Sequence, residues 1–394
     1  MHSKWSVKKL GEIINLKRGY DLPVQNRING ITPIISSSGI NGYHNEAKVS
    51  GPGVVTGRSG QLGKVFFIDQ DYWPLNTTLY VEDFKGNNEK YVYYLLQTLD
   101  FEKFNAGSSV PTLNRNHVHL LDVYVPDYHT QSRIGDFLYS FEEKIKINLD
   151  IIKNLEQLSQ TLYKRWFIDF DYLNEEGLPY KSSGGKMVDS ELGEIPEGWN
   201  IEYLSSSTEF LSGGTPKTKE STYWNGDIPF FTPKDVGSSV YTTNTEKTIT
   251  ELGLSKCNSR LYPKNTVFIT ARGTVGKIAL ANTDMAMNQS CFALKSKNGC
   301  QFHLYGAIKT LLREIIQGAN GAVFNAINLS DLNRLRLAMP QQELIDKYEA
   351  VAITLFNQMS ALEVENIKLQ ILRDTLLPKL LSGEIEIPDE SVVV

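Results

Sequence analysis

Two stretches of this chain repeat apolar residues every seven positions, and that spacing constrains the fold more tightly than any other feature. Across residues 130–166 one ladder reads Ile134, Phe141, Leu155 and Leu162, with Asn148 on the same rung spacing. A second ladder, three residues on, reads Phe137, Lys144, Ile151 and Leu158. Across residues 342–377 the pattern returns as Tyr348, Leu355, Leu362, Leu369 and Leu376, flanked by Val351 and Leu372. Such a period held for four heptads predicts a long helix with one narrow apolar seam, which needs a partner helix. Each run read alone also fits an amphipathic helix packed on its own domain. Two runs in the same frame favour pairing with each other.

The rest of the chain is a tandem repeat. Residues 5–13, Trp-Ser-Val-Lys-Lys-Leu-Gly-Glu-Ile, are echoed by residues 198–204, Gly-Trp-Asn-Ile-Glu-Tyr-Leu. The run from Gly30 matches that from Gly226 at an offset of 196. The run from Val55 through Lys64 matches Ile269 through Lys277 at an offset of 214 with one residue of slack, so the second copy carries about 18 extra residues. These fall in the Ser/Thr/Asn-rich run 237–261 and predict a loop or hairpin grafted onto a shared scaffold. Residues 105–114 echo 318–328, and Pro126 and Pro340 close the copies, each forbidding strand continuation and priming a helix start. Within each copy, short apolar runs bounded by Gly, Pro and Asn predict strands, and 91–99 and 304–316 predict helices. The fold class is therefore α+β: two similar globular domains and two long helices.

At 394 residues, two or three domains are expected. No apolar run approaches the ~20 residues of a membrane span, and no signal peptide opens the sequence. Cys257, Cys291 and Cys300 lack CxxC spacing, which predicts a reducing compartment and neither disulfides nor a zinc site. The net charge of −5 hides a division: residues 1–126 hold 13 Lys+Arg against 11 Asp+Glu, and 199–339 hold 15 against 10. The remaining segments hold 12 against 24. The globular parts are mildly basic, and local charge is what a phosphate backbone feels.

These features resemble the specificity subunit of type I restriction–modification enzymes. The motifs that carry the resemblance are Ser212-Gly-Gly-Thr-Pro-Lys217, Thr270-Ala-Arg-Gly-Thr-Val-Gly276, the entry Leu192-Gly-Glu-Ile-Pro-Glu-Gly-Trp199, and residues 376–385, Leu-Leu-Pro-Lys-Leu-Leu-Ser-Gly-Glu-Ile. The first copy departs from them, with residues 17–23 reading Lys-Arg-Gly-Tyr-Asp-Leu-Pro and residues 57–60 Gly-Arg-Ser-Gly.

The resemblance implies target recognition domains at 1–126 and 199–339, long helices at 127–168 and 340–381, a linker at 169–198 and a tail at 382–394. It implies an antiparallel coiled coil with pseudo-twofold symmetry that fixes the gap between two half-sites of a bipartite double-stranded DNA target. Two methyltransferase subunits, expected to bind S-adenosylmethionine, and then restriction/translocase subunits would join in the cytoplasm. The chain itself would bind no cofactor and perform no chemistry. A helix of about 37 residues is about 55 Å long, enough to hold two domains at least one DNA turn apart.

Candidate DNA contacts are Thr56, Arg58, Ser59 and Lys64 in the first copy and Thr270, Arg272, Thr274 and Lys277 in the second, all in Gly-rich loops after a β-like run. Glycines let backbone N–H groups approach phosphate, and Arg offers a fork to guanine or phosphate. A tight hairpin with solvent-facing basic tips is the plainer alternative. Ser108, Ser109, Thr112, Asn320 and Asn325 could bond bases, though turn chemistry alone accounts for them equally well. Lys17, Arg18, Tyr20, Thr215 and Lys217 are weaker candidates. The coiled-coil set is Ile134, Phe141, Ile151, Leu155, Leu158, Leu162, Leu355, Leu362, Leu369, Leu372 and Leu376. Residues 57–64 are not a phosphate loop, because five residues separate Gly57 from Gly63 and Val65 follows Lys64. No Asn-Pro-Pro-aromatic run of an amino-methyltransferase is present. His117 and His119 lack a ligand cluster and are expected on one face of a strand.

Overall fold

The computed structural model describes residues 5–104, 112–318 and 326–388. The chain divides into two compact units, Met1–Ile145 with Lys368–Val394, and Lys146–Ile367, so that each long helix contributes to both.

The first unit contains β1 (Ser6–Lys9), β2 (Asn15–Arg18), β3 (Thr32–Ser36), β4 (Gly39–His44), β5 (Gly53–Gly57), β6 (Val65–Ile68), β7 (Trp73–Pro74), β8 (Thr78–Asp83) and β9 (Asp122–Val125). They form a sheet of order β2-β8-β5-β6, a smaller one of order β4-β3-β7, and the closing pair β1-β9. Successive side chains of β5 face opposite ways. Val54 enters a core with Leu10, Leu16, Leu79, Val81 and Tyr91, while Val55 packs with Ile35, Tyr72 and Tyr80. Each such fully buried side chain contributes about 1.5–3 kcal/mol. The helix Glu89–Gln97 covers the first core, and its Asn88 cap accepts from Tyr91 N at 2.9 Å.

The first strands of the second unit form a hairpin of β10 (Met187–Ser190) and β11 (Gly193–Pro196). Its domain then runs β12 (Asn200–Tyr203), β13 (Thr208–Ser212), β14 (Trp224–Phe231), β15 (Tyr241–Thr242), β16 (Thr248–Ile249), β17 (Val267–Thr270), β18 (Ile278–Ala281), β19 (Ala286–Met287), β20 (Cys291–Ser296) and β21 (Arg336–Met339). The sheets are β13-β20-β17-β18-β15, β16-β14-β19 and β12-β21. Every pairing of the first domain recurs, including the parallel pairs β3-β7 and β14-β19. The extra residues do more than decorate. They supply β15, a fifth strand laid parallel beside β18.

Two expectations change here. Residues 169–198 are more than a linker: Phe170 and Ile195 sit in the second unit's core, and the rings of Tyr172 and Tyr180 stack at 4.9 Å. His117 and His119 lie in and just after the short helix Arg115–Val118, not on a strand. The neutral ring of His119 accepts from Leu16 N through Nε2 at 3.0 Å, and burial holds its pKa below the usual value.

The long helices are Tyr128–Phe167 and Gln342–Leu381. They run antiparallel in each unit. In the first unit Arg373 meets Glu142 at 3.3 Å, and Arg133 reaches the carbonyl of Pro388 at 2.6 Å. In the second the Tyr163 and Tyr348 rings lie 5.8 Å apart. Of the first ladder, Ile134 and Phe141 are buried and Leu155 and Leu162 half-buried.

The second ladder is displaced by one residue. Leu138, Ile152 and Ser159 are buried, whereas Phe137 and Leu158 are exposed and Ile151 is half-buried. Adjacent apolar pairs such as Ile151 and Ile152 make the two frames alike in sequence. On the second helix the buried line is Ile345, Ala352, Met359, Asn366 and Leu380, with Tyr348 beside it. Leu355, Leu362, Leu369 and Leu376 are half-buried flanks, and Val351 and Leu372 are exposed. A small residue and a polar one on the true line, Ala352 and Asn366, hid it.

The long helices also hold the domain helices. In the second unit Glu349 accepts from Phe302 N and His303 N, both at 2.9 Å, satisfying first-turn donors of helix Gln301–Gly318. In the first unit Gln131 does the same for Asn88 N at 3.0 Å.

Candidate nucleic-acid interface

In each domain the loop joining a hairpin, β5 to β6 or β17 to β18, meets the turn that precedes β8 or β20. In the first domain Arg58 N and Ser59 N both donate to Thr77 O, at 2.8 and 3.1 Å. In the second, Ala271 N and Arg272 N both donate to Ser290 O, at 2.8 and 3.2 Å. The loops turn on Gly60 and Gly63 (φ +87° and +80°) and on Gly273 and Gly276 (φ +82° and +81°), a backbone region that L side chains rarely enter. Lys64 and Lys277 follow, both exposed.

This geometry corrects the repeat alignment. Gly57 N bonds Lys64 O and Thr270 N bonds Lys277 O, so the loops superpose at an offset of 213 rather than 214. Arg58 then corresponds to Ala271, and Ser59 to Arg272. The arginines are not equivalent. Arg58 is half-buried with its guanidinium on Asn76 O at 3.5 Å, while Arg272 is exposed.

Thr56 and Thr270 leave the accessible set, because both are fully buried. Thr56 Oγ1 donates to Lys64 O at 3.0 Å, and Thr270 Oγ1 donates to Thr274 O while accepting from Lys277 N at 3.0 Å. They brace the loops from inside. Ser59 is half-buried and bridges backbone to backbone with Thr112. Thr274 is exposed, with its hydroxyl 3.3 Å from Pro233 O. Ser108, Ser109, Asn320 and Asn325 lie outside the described residues.

Two further contacts complete each rim, and the sequence comparison missed both. Gly19 and Gly213 pass so close to the preceding turn that a Cβ would lie 2.2 Å from Leu75 O or Asn288 O. Two residues beyond each glycine stand Asp21 and Thr215. Asn76 Nδ2 donates to Asp21 Oδ1, and Thr215 Oγ1 donates to Gln289 Oε1. Arg18 lies 3.5 Å from Asp21. Lys17 is paired to Glu82, which raises its pKa and turns its charge to the strand beside it. The signal in sequence was the glycine shared by residues 17–23 and 212–217, which the differing flanks obscured.

Among the described residues neither rim forms a catalytic constellation. Cys291 and Cys300 are thiols that burial pushes up to about 12 and about 11, outside nucleophile range. Among the described residues no group of three or more His, Cys, Asp or Glu could hold a metal ion, and no helix is long and apolar enough to cross a membrane.

A duplicated α+β domain that presents basic, hydrogen-bonding rims and is braced by long paired helices defines a sequence-reading class of DNA-binding protein. The profile of the type I restriction modification DNA specificity domain matches residues 2–157 and 196–371, and the chain belongs to that family. It is 24% identical over 388 residues to the type I restriction enzyme HindI specificity subunit of Haemophilus influenzae, covering 82% of this chain and 84% of that one. It is 26% identical over 313 residues to the MjaIX specificity subunit of Methanocaldococcus jannaschii, covering 77% and 71%. The crystal structure of the type I restriction–modification S subunit from M. genitalium shares the fold, with a TM-score of 0.63 at 16% identity over 98% of this chain and 97% of that one.

Proposed function

We propose that this specificity subunit reads a bipartite duplex with one half-site per domain and performs no chemistry itself. The observation that supports this most directly is the duplicated rim: one backbone frame built twice, carrying different side chains. In the first domain Arg58, Ser59, Lys64 and Thr112 would meet DNA, and in the second Arg272, Thr274 and Lys277. Exposed lysines suit phosphate contacts that set register, while Arg272 can fork onto guanine.

The long helices would carry two methyltransferase subunits, which bring S-adenosylmethionine, and then restriction/translocase subunits, in the cytoplasm. Leu158 and Leu372 are each about half exposed, at 52% and 46%, and are proposed to contact the methyltransferase. The buried line instead holds the helices together.

Methylation mapping of host DNA with and without this chain tests the reading. A two-armed motif that is methylated only when the chain is present is expected. Methylation at the same sites in its absence would overturn it. Leu158→Asp or Leu372→Asp should reduce co-purification with the methyltransferase without lowering the thermal midpoint of the chain.

A further inference from the structure

Asn76 and Gln289 occupy one position in the two copies, and both are carboxamides. Each immediately precedes the residue whose carbonyl receives two successive loop amides, Thr77 or Ser290. Each is tied to the side chain two residues past the close-approach glycine, Asp21 or Thr215. The backbone places these pairs identically, because Gly19 and Gly213 allow the same contact with the turn. The chemistry of the pairs differs. Among the described residues Asn76 spends one N–H on Asp21 and keeps its Oδ1 and a second N–H. Gln289 has its oxygen engaged by Thr215 and, among the described residues, keeps both N–H donors.

Neither tie belongs to a buried core. Asp21, Thr215 and Gln289 are exposed and Asn76 is only half-buried, whereas the loop-to-turn union is made by backbone groups. Such a tie fixes the orientation of an amide at an exposed basic rim, where a ligand can meet it. A carboxamide with one donor and one acceptor matches the N6 and N7 edge of adenine, and a donor-weighted one matches acceptor edges such as those of guanine.

We infer that Asn76 and Gln289 are specificity-determining residues, each reading one base pair of its half-site, with Asp21 and Thr215 as positioning residues that fix the amide's orientation. The inference rests on the DNA-reading function above and goes beyond it by naming the reading position. Its test is selection from a random duplex library by the full chain co-purified with its methyltransferase partner, at fixed salt.

The unaltered complex should return a two-armed motif. Gln289→Ala should lose about tenfold discrimination at one or two adjacent positions of one arm and leave the other arm intact. Asn76→Ala should do the same to the other arm. Thr215→Val should reproduce the Gln289→Ala motif, and Thr215→Ser, which keeps the hydroxyl, should restore the original. A merely structural tie would weaken both arms evenly or lower the thermal midpoint without changing any base preference, and either result overturns the inference. If the unaltered complex selects no two-armed motif, the DNA-reading function itself fails. A retained motif that Gln289→Ala leaves unchanged sinks only the present assignment.

Discussion

Asn148 donates through Nδ2 to Asn366 Oδ1 and to Glu365 Oε2, both at 2.9 Å, on the buried line between the two long helices. Both asparagines are almost wholly buried, and among the described residues Asn148 Oδ1 and Asn366 Nδ2 have no partner. A paired polar residue in an apolar seam lowers stability but fixes which residues face one another.

Asn148→Leu alone should therefore cost about 1–3 kcal/mol, because it strands the Asn366 amide in an apolar seam. The double substitution Asn148→Leu with Asn366→Leu should recover that loss or exceed the starting stability. Urea unfolding of the full chain measures both. A double variant as weak as the single one would show that the stranded Asn366 amide is not the source of the loss.

Lys64 and Lys277 are proposed to contact phosphate. Lys64→Ala and Lys277→Ala should each reduce the slope of log K against log salt by about 1, with base preference unchanged. Arg272→Ala should weaken binding to the selected duplex more than to random duplex. Equal losses on the two duplexes would return Arg272 to the phosphate group.

Gly213→Ala drives a Cβ to within 2.2 Å of Asn288 O, a backbone atom that cannot swing aside. The expected cost is about 1–3 kcal/mol in the second domain, and Gly19→Ala should cost the same in the first. Gly63→Ala meets nothing within 4 Å and strains only its φ of +80°, so its cost should be smaller, about 1–2 kcal/mol. Thermal unfolding orders the three. A Gly63→Ala variant weaker than Gly213→Ala would contradict the close-approach account.

His303 is fully enclosed among Tyr163, Phe167 and Tyr348, and burial lowers its pKa to about 4. The unfolded chain takes up this proton near pH 6.5 and the folded chain only near 4, so stability falls as pH drops through that window. The difference corresponds to on the order of 3 kcal/mol. Burial raises the Glu349 carboxyl, which titrates in the opposite sense, so His303→Phe is the needed comparator. The thermal midpoint of His303→Phe should fall less between pH 6.5 and 4 than that of the unaltered chain. Parallel curves would refute the assignment.

Heptad spacing was enough to locate both long helices, and glycine and proline punctuation enough to pair the two domains. Those signals depend on residue type along the chain. What the sequence could not reveal depended on distances in space. The one-residue shift that separates Arg58 from Arg272 is fixed by which amide meets Lys64 O or Lys277 O, and the two Thr-Gly-Arg and Thr-Ala-Arg strings look better aligned than they are. The Thr56 and Thr270 hydroxyls read as contacts because threonine is polar, but each strand turns its threonine inward. The inner line of the helices was masked where Ala352, Asn366 and Ser159 stand in place of large apolar residues.

The loop-to-turn union in each domain is made by main-chain N–H and C=O groups, which every residue but proline supplies alike. Evolution can therefore exchange the neighbouring side chains at little cost to folding. A lineage carrying such a scaffold can acquire a new address on the genome through a few surface changes, in one half at a time, while the machinery that docks elsewhere on the chain needs no matching alteration.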